Sequence, residues 1–228
     1  MGSGSGLHSL AALRLGARQV VAIDIDADSV ATTQAVLQRF APDGPWKVEA
    51  KSVFELDPRE SGVFEIVYSW GVLHHTGDMF FALRSAAAMV APEGFFVFAL
   101  YRRIWMDWFW RWEKRWYAQA SHSAQARARW VYVTLYRLGL RLTGRRFEDY
   151  VTNYRSKRGM SFEHDVHDWL GGWPYESISS REVQDAMKAL GFSAVKQFAR
   201  KGRFLGKDPG FFGSGCDEYV YRKEACAD

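Results

Sequence analysis

The first hundred residues alternate between two patterns, and this alternation limits the folds that the chain can adopt. Short apolar runs typical of buried strands occupy residues 19–24, 46–53, 64–71 and 95–101. Segments with the apolar spacing of amphipathic helices separate these runs. Because parallel strands need a long crossover connection, usually a helix, the alternation predicts βαβ units and a mostly parallel sheet.

The α/β pattern resumes near the C-terminus. Ser179 and Glu182 have the spacing of a capping box, and they precede a helical stripe that ends at Gly191. Two strand-like runs follow, at residues 193–200 and 217–224. Since only a short stretch of chain separates these runs, they are expected to form an antiparallel pair.

Composition favours a globular protein without a disulfide framework. Of the 228 residues, 48% are hydrophobic and 25% are charged, which is typical of a folded soluble domain. Cys216 and Cys226 are the only cysteines, too few for a disulfide scaffold. The sequence has neither an apolar run of about 18 residues nor the pattern of a signal peptide. We therefore expect a single cytoplasmic domain over residues 1–228.

Glycines alternate in the turn before the first helical segment. Gly2, Gly4 and Gly6 form a G-x-G-x-G pattern, and Asp24 ends the next strand. Glycines in such a turn let a cofactor lie against the backbone, and an acid at the end of the second strand accepts hydrogen bonds from an adenosine ribose. The spacing does not match the G-x-G-x-x-G of dinucleotide sites. The pattern predicts an adenosine-containing cofactor without identifying it.

The segment FEIVYSWGVLHHTGD, residues 64–78, resembles the class I S-adenosylmethionine-dependent methyltransferases, in which such a segment follows the fourth strand. The resemblance continues through VVAIDID, the APEG turn and the closing strand pair. The segments YSWGVLHHTGDM, RGMSFEHDVHDWLGGWPYE and GCDEYVY are similar to one bacterial subfamily. The family implies a Rossmann-like α/β fold, with a seven-stranded sheet of order 3-2-1-4-5-7-6 and S-adenosyl-L-methionine as cofactor.

In the family, strand one and an acid at its end precede the glycine turn. Met1 stands directly before Gly2, so the resemblance implies a sheet lacking most or all of strand one. We expect a truncated or mis-started product, or a chain whose missing strand another chain replaces.

The resemblance also implies which residues contact the cofactor. The turn would hold the methionine part, Asp24 the ribose, and the residues after the second and third strands the adenine. Ser52 stands where the family usually has an acid. The segment after strand four would face the sulfonium and the acceptor. The expected cofactor-binding residues are Gly2, Ser3, Gly4, Gly6, Asp24, Ile25, Ser52, Val53, Ser69 and Trp70.

Histidine is the natural proton acceptor near neutral pH. His164 is the first candidate for a catalytic base, because GGWPYE after it looks like a lid loop, and His75 is the second. In the alternative interpretation, the histidines at 74 and 75 only shape their loop. Three interpretations of the cluster around His164 also stay open. It is a polar face of a helix that Asp165 caps, a His–carboxylate dyad, or a weak metal site. We predict no metal. The ionisable residues of this cluster are His164, Asp165, His167 and Asp168.

Residues 102–178 are expected to form a helical insertion after strand five. Its rings lie on two helical faces. Three interpretations stay open: the rings pack the insertion onto the sheet, they form a cap over a hydrophobic or aromatic acceptor, or they contact anionic lipid peripherally. One face comprises Trp105, Trp108, Phe109, Trp112 and Trp116; the other comprises Trp110 and Tyr117.

The leading functional prediction is methyl transfer to oxygen, nitrogen or carbon of a small molecule. Nucleic-acid methylation is an alternative that the net charge of +4 favours, but residues 69–72 lack the [DNS]-P-P-[YF] motif of enzymes that methylate base amines. A catalytically impaired, methyltransferase-like binding protein is another alternative. A nicotinamide oxidoreductase is the last, and an antiparallel final strand pair would argue against it. The sequence predicts no oligomeric state.

Overall fold

The computed structural model describes residues 1–158, 161–199 and 209–225, and Cys226 lies outside them. In these residues the strands are β1 (Val20–Asp24), β2 (Trp46–Ala50), β3 (Phe64–Trp70), β4 (Val90–Tyr101), β5 (Phe192–Phe198) and β6 (Cys216–Lys223). The helices are α1 (Leu7–Arg14), α2 (Ala27–Phe40), α3 (Pro58–Ser61), α4 (Met79–Ala88), α5 (Asp107–Gln119), α6 (His122–Leu142), α7 (Phe147–Thr152), α8 (Tyr154–Arg158), α9 (Phe162–Gly171) and α10 (Ser180–Ala189). Short 3₁₀ turns cover Val53–Glu55 and Leu73–His75.

The described chain divides into two compact units. The first, the sheet unit, comprises residues 1–101, 178–199 and 216–225. The second, the helical unit, comprises residues 102–158, 161–177 and 209–215.

The strand order of the sheet unit confirms the predicted fold. Strand β2 pairs in parallel with β1, and the remaining strands form a sheet of order β3-β4-β6-β5. Strands β3 and β4 are parallel, whereas β6 is antiparallel to both β4 and β5. This is the family order 3-2-1-4-5-7-6 without strand one, which would lie between β1 and β3. In the described residues, no strand occupies that position.

Residues 1–3 connect the two parts of the sheet unit by hydrogen bonds. The backbone N–H of Ser3 donates to the carbonyl of Ile23 on β1 at 3.1 Å. The amino group of Met1 donates to the carbonyl of Tyr68 on β3 at 2.8 Å. The segment leading into the glycine turn thus contacts both strands that flank the gap.

Two strand boundaries differ from the prediction for local reasons. Strand β2 ends at Ala50, before the predicted residue 53, because Ser52 caps the following 3₁₀ turn by accepting from the N–H of Phe54 at 3.2 Å. Strand β4 begins at Val90, five residues before the prediction, because a bulge separates that residue from the regular pairing. Gly94 lies in the bulge, where a Cβ would stand 2.9 Å from a carbonyl oxygen of β3.

The core of the sheet unit lies where α4 and α10 pack on the sheet. Its largest buried side chains come from β4 and β6, and include Phe96 and Phe98. Helix α10 adds Val183 and Met187, whose spacing was the predicted apolar stripe. The capping box of Ser179 with Glu182 is confirmed, since both of its hydrogen bonds form.

The helical unit has an aromatic core of its own. On α5, Trp110 and Tyr117 are buried, whereas most rings of the other predicted face are exposed. The indole of Trp110 donates to the carbonyl of Gly210 at 2.7 Å. Further along, the hydroxyl of Tyr136 donates to that of Tyr150 at 2.8 Å. In the described part of the chain, every helix is too short or too polar to cross a membrane.

Candidate functional site

The glycine turn adopts a backbone that L side chains rarely take. Gly2, Gly4 and Gly6 have φ angles of +67°, +50° and +74°. A Cβ on Gly2 would lie 2.2 Å from Val72 Cγ2, and one on Gly6 would lie 2.9 Å from Thr33 Cα. A Cβ on Gly4 would meet nothing within 4 Å. The chain's own packing therefore explains two of the glycines, and only Gly4 faces open space.

Asp24 is fixed beside this turn by two backbone hydrogen bonds. Its Oδ2 accepts from the N–H of Gly4 at 3.0 Å, and its Oδ1 accepts from the N–H of Asp26 at 3.1 Å. The residue is half-buried at the end of β1. Each carboxylate oxygen has about two acceptor sites, so each retains one for a ligand. The arrangement can accept two adjacent hydroxyl groups next to the open face of Gly4.

A buried threonine, absent from the predicted site, supports the turn. Thr33 is fully buried on α2, and its Oγ1 lies 2.9 Å from Ser3 Oγ. The same hydroxyl donates to the carbonyl of Gly4 at 3.1 Å. The sequence feature that could have revealed Thr33 is its position between Val30 and Leu37, which places a polar residue on the apolar side of the helix.

Burial and the charge of Asp24 have opposite effects on the pKa of the Met1 amino group. Burial lowers the pKa of its amino group to about 6, and the carboxylate of Asp24 opposes this shift. The Asp24 carboxylate therefore influences the turn electrostatically as well as through its hydrogen bond to Gly4.

The residues expected around the adenine lie at the same sheet edge as Asp24. Ala50, at the end of β2, pairs with Asp24, so the segment after it reaches this edge. Ile25 is exposed, and Val53 is partly buried against the core. The Oγ of Ser52 already accepts a backbone hydrogen bond in its own turn.

Ser69 and Trp70 end β3 with opposite orientations. Ser69 is fully buried, and its Oγ has no hydrogen-bond partner among the described residues. Trp70 is about half exposed. Because successive strand side chains point to opposite faces, these two side chains lie on opposite sides of the sheet at the end of β3.

The histidine pair lies at the carboxyl ends of β3 and β4. His74 is buried, and its Nδ1 accepts from the backbone N–H of Tyr101 at 3.2 Å, which places its proton on Nε2. The ring of His75 is half-buried and lies edge-on to the Tyr101 ring, with centroids 5.3 Å apart. His74 thus has a packing role, and of the pair His75 is the better placed to exchange a proton with solvent or substrate.

The cluster at residues 164–168 lies in the helical unit, on α9. Ser161 caps this helix by accepting from the N–H of His164 at 3.2 Å, so the assignment of the cap to Asp165 is wrong. Asp165 accepts from the Tyr154 hydroxyl instead. Burial raises the pKa of Asp168, and the two nearby histidines oppose this shift. The side chain of His164 itself is exposed.

His167 also bonds outside the cluster. Its Nδ1 lies 2.9 Å from the hydroxyl of Tyr117 and 3.2 Å from Nη1 of Arg129. Over residues 1–158, 161–199 and 209–225, no group of three or more side chains is placed to hold a metal ion. The described contacts of the cluster therefore run to different partners and do not form a single dyad.

A second ionisable pair, absent from the prediction, is buried on α5. Nζ of Lys114 lies 3.6 Å from the centroid of the Trp169 ring, with Trp110 and Tyr175 also within 6.0 Å. Burial lowers the pKa of Lys114 to about 7 and raises that of Glu113 to about 7, while each group's charge opposes the other's shift. The helical unit thus holds a lysine whose charged form is disfavoured.

Comparison of the sequence with protein families gives a match to the segment that contains the glycine turn. A sequence profile described as "Methyltransferase domain" matches residues 1–98. The match covers a little under half of the 228 residues. The matched segment contains the glycine turn, Asp24 and the loops after β2 and β3, and so includes every predicted cofactor contact.

The curated relatives match the same region. The ubiquinone biosynthesis O-methyltransferase of Rhodopseudomonas palustris (strain HaA2) is 35% identical over 105 residues, which cover 46% of this chain and 40% of the relative. The chain therefore spans well under half the length of the curated relatives it matches.

Solved structures resemble nearly the whole chain. The magnesium protoporphyrin IX methyltransferase from Synechocystis PCC 6803, solved with bound SAH, aligns with a TM-score of 0.54 at 14% identity, covering 98% of this chain and 71% of that one. The [4+2]-cyclase SpnF aligns with a TM-score of 0.56 at 12% identity, covering 98% and 73%. At such identities the likeness shows the fold alone. Because one of these structures is a cyclase, proteins of this fold differ in the reaction they catalyse.

Proposed function

We propose that the protein is an S-adenosyl-L-methionine-dependent methyltransferase that acts on a small-molecule acceptor at oxygen, nitrogen or carbon. One observation carries the proposal: both oxygens of Asp24 are held by backbone N–H groups, one of them from Gly4, whose Cα faces open space. The methyltransferase-domain match over this segment supports the same conclusion.

The residues present fit the adenosyl cofactor. Asp24 would accept the two ribose hydroxyls, and the backbone of Gly2, Ser3, Gly4 and Gly6 would lie under the methionine part. When bound, the cofactor supplies a methyl group on a positively charged sulfur. Ile25, Ser52 and Val53 would border the adenine, with Val53 providing apolar contact. The hydroxyl of Ser52 accepts a backbone hydrogen bond from Phe54 and keeps its own O–H, which would donate to an adenine nitrogen.

The protein's task in such a reaction is to align the acceptor and remove its proton. Alignment contributes most, because an in-line displacement requires the nucleophile, methyl carbon and sulfur to be collinear. Ser69 and Trp70 would border the acceptor at the end of β3. We propose His75 as the base in the sheet unit, and His164 stays a candidate in the helical unit.

We propose the same architecture as the sequence predicts, one domain over residues 1–228 with residues 102–178 as an insertion. A cytoplasmic location fits the low cysteine content, and Cys216 is a free thiol. For partners, we propose a hydrophobic or aromatic small molecule and peripheral contact with a membrane surface.

Calorimetry with S-adenosylhomocysteine tests the proposal on the full chain. We expect binding, with the Asp24→Asn variant about tenfold weaker, because a charged acceptor of two hydrogen bonds is lost. The matched control is Asp28→Asn, an exposed acid on α2, which should bind like the unmodified chain. Absence of binding by the unmodified chain, or equal affinity of the Asp24 variant, would contradict the proposal.

A further inference from the structure

Helices α5 and α6 expose large apolar side chains in regular stripes. On α5, Trp108, Trp112 and Trp116 follow one another at four-residue spacing, and the first is 71% exposed. On α6, exposed aliphatic residues follow at intervals of four, three and four residues, which places them on one helical face. These are Val131, Leu135, Leu138 and Leu142.

The charge around these stripes is almost entirely positive. From Trp108 to Arg146 the only acidic residue is Glu113, and it is buried. Helix α6 contains no acid at all. Exposed arginines flank both stripes and include Arg111, Arg115, Arg127, Arg137, Arg141, Arg145 and Arg146.

We infer that the exposed stripes of α5 and α6 form a docking surface for an anionic lipid bilayer. Trp and Leu side chains partition into the boundary between headgroups and acyl chains, and nearby arginines pair with lipid phosphates. The inference makes specific the membrane contact proposed above, and it does not depend on methyl transfer.

Two other occupants fit the surface less well. Single-stranded nucleic acid would use the rings and arginines, but the four aliphatic side chains of α6 offer nothing for bases to stack on. A second copy of this chain would bring two arginine-rich surfaces together, and like charges repel across an interface.

Vesicle sedimentation of the full chain tests the inference. The probes are vesicles of phosphatidylcholine alone and of equal parts phosphatidylcholine and phosphatidylglycerol. We expect binding to the anionic vesicles that weakens in high salt. The double variant Leu138→Gln/Leu142→Gln should bind these vesicles about tenfold more weakly, because it loses two inserted side chains. Arg141→Gln should reduce anionic binding about fivefold.

Matched controls come from the sheet unit. Leu15→Gln removes an 88% exposed leucine, and Arg18→Gln removes an exposed arginine; both should bind vesicles like the unmodified chain. Equal binding to neutral and anionic vesicles, or no vesicle binding, would overturn the inference. It would also fail if the double variant instead lost binding to a single-stranded oligonucleotide or lost self-association in sedimentation. The vesicle assay contains no cofactor. A negative result in this assay is therefore distinct from a failure of the chain to bind S-adenosylhomocysteine.

Discussion

Gly4 differs from its two neighbouring glycines in what lies opposite its Cα. Gly6 faces the backbone of Thr33, and Gly2 faces the side chain of Val72, so a side chain at either position would disturb the packing of the turn. Gly4 faces open space beside Asp24. Stability and ligand binding should therefore depend on different glycines of one turn.

Alanine substitutions separate these roles. Gly4→Ala should lower the free energy of unfolding by about 1 kcal/mol, the cost of a left-handed backbone, and weaken S-adenosylhomocysteine binding about tenfold. Gly6→Ala should be the less stable variant, because its Cβ also meets a backbone atom. Thermal unfolding and calorimetry measure both effects. A Gly4→Ala variant with unchanged affinity would show that the ligand does not approach this residue.

Lys114 provides a test by pH. Burial lowers its pKa to about 7, against 10.5 for an unperturbed lysine. Between these values the unfolded chain binds more protons than the folded chain, so the free energy of unfolding rises with pH through this window. The double variant Glu113→Leu/Lys114→Met replaces both buried groups and should be more stable than the unmodified chain near pH 7, by about 1–4 kcal/mol, and this advantage should shrink towards pH 10. Parallel melting temperatures for both proteins across this range would contradict the burial argument.

The sequence predicted a cofactor site at Asp24 and the glycines, because the residue types and their spacing are typical of an adenosine-binding turn. It did not predict Thr33 or Lys114. The spacing of α2 shows that Thr33 faces inward, but not that it meets Ser3, which is 30 residues away. The rings around Lys114 come from α5 and from residues after 160, and no local pattern reveals such a contact.

At the scale of elements, helix α10 has the clearest sequence signal. Ser179 accepts from the N–H of Glu182, and the Glu182 carboxylate accepts from the N–H of Ser179. The helix also buries Val183 and Met187 in the core of the sheet unit. A weakened cap should therefore lower the stability of that unit.

Ser179→Ala should reduce the free energy of unfolding by about 1 kcal/mol, the usual cost of losing an N-cap side chain. Thr32→Ala, an exposed position on α2, should change it by less than about 0.5 kcal/mol. Denaturant unfolding compares the two variants. Equal stability of the Ser179 variant and the unmodified chain would show that the cap contributes little.

The apolar runs predicted where strands occur better than where each strand ends. Strands β1 and β3 were predicted to within one residue at each end. Strand β2 ends where it does because Ser52 caps the following turn. The start of β4 depends on a bulge at residues 91–94. Both outcomes reflect competition between local hydrogen bonds and sheet pairing, which apolar periodicity does not report.

At the scale of the whole molecule, strand order followed from the family resemblance more than from local pattern. Alternating segments predict parallel pairing, but they do not place β6 between β4 and β5. The resemblance did so, and it also placed the gap between β1 and β3. Residues 1–3 bond to both of these strands and thereby hold the glycine turn at the sheet edge where the ends of β1, β2 and β3 meet.

The central claim concerns one contact, so a crystal structure of the full chain with S-adenosylhomocysteine tests it most directly. The account predicts both ribose hydroxyls at about 2.7 Å from the oxygens of Asp24, with the amino-acid part of the ligand over Gly4. A ligand bound with its ribose away from Asp24, or on another face of the sheet unit, would contradict it.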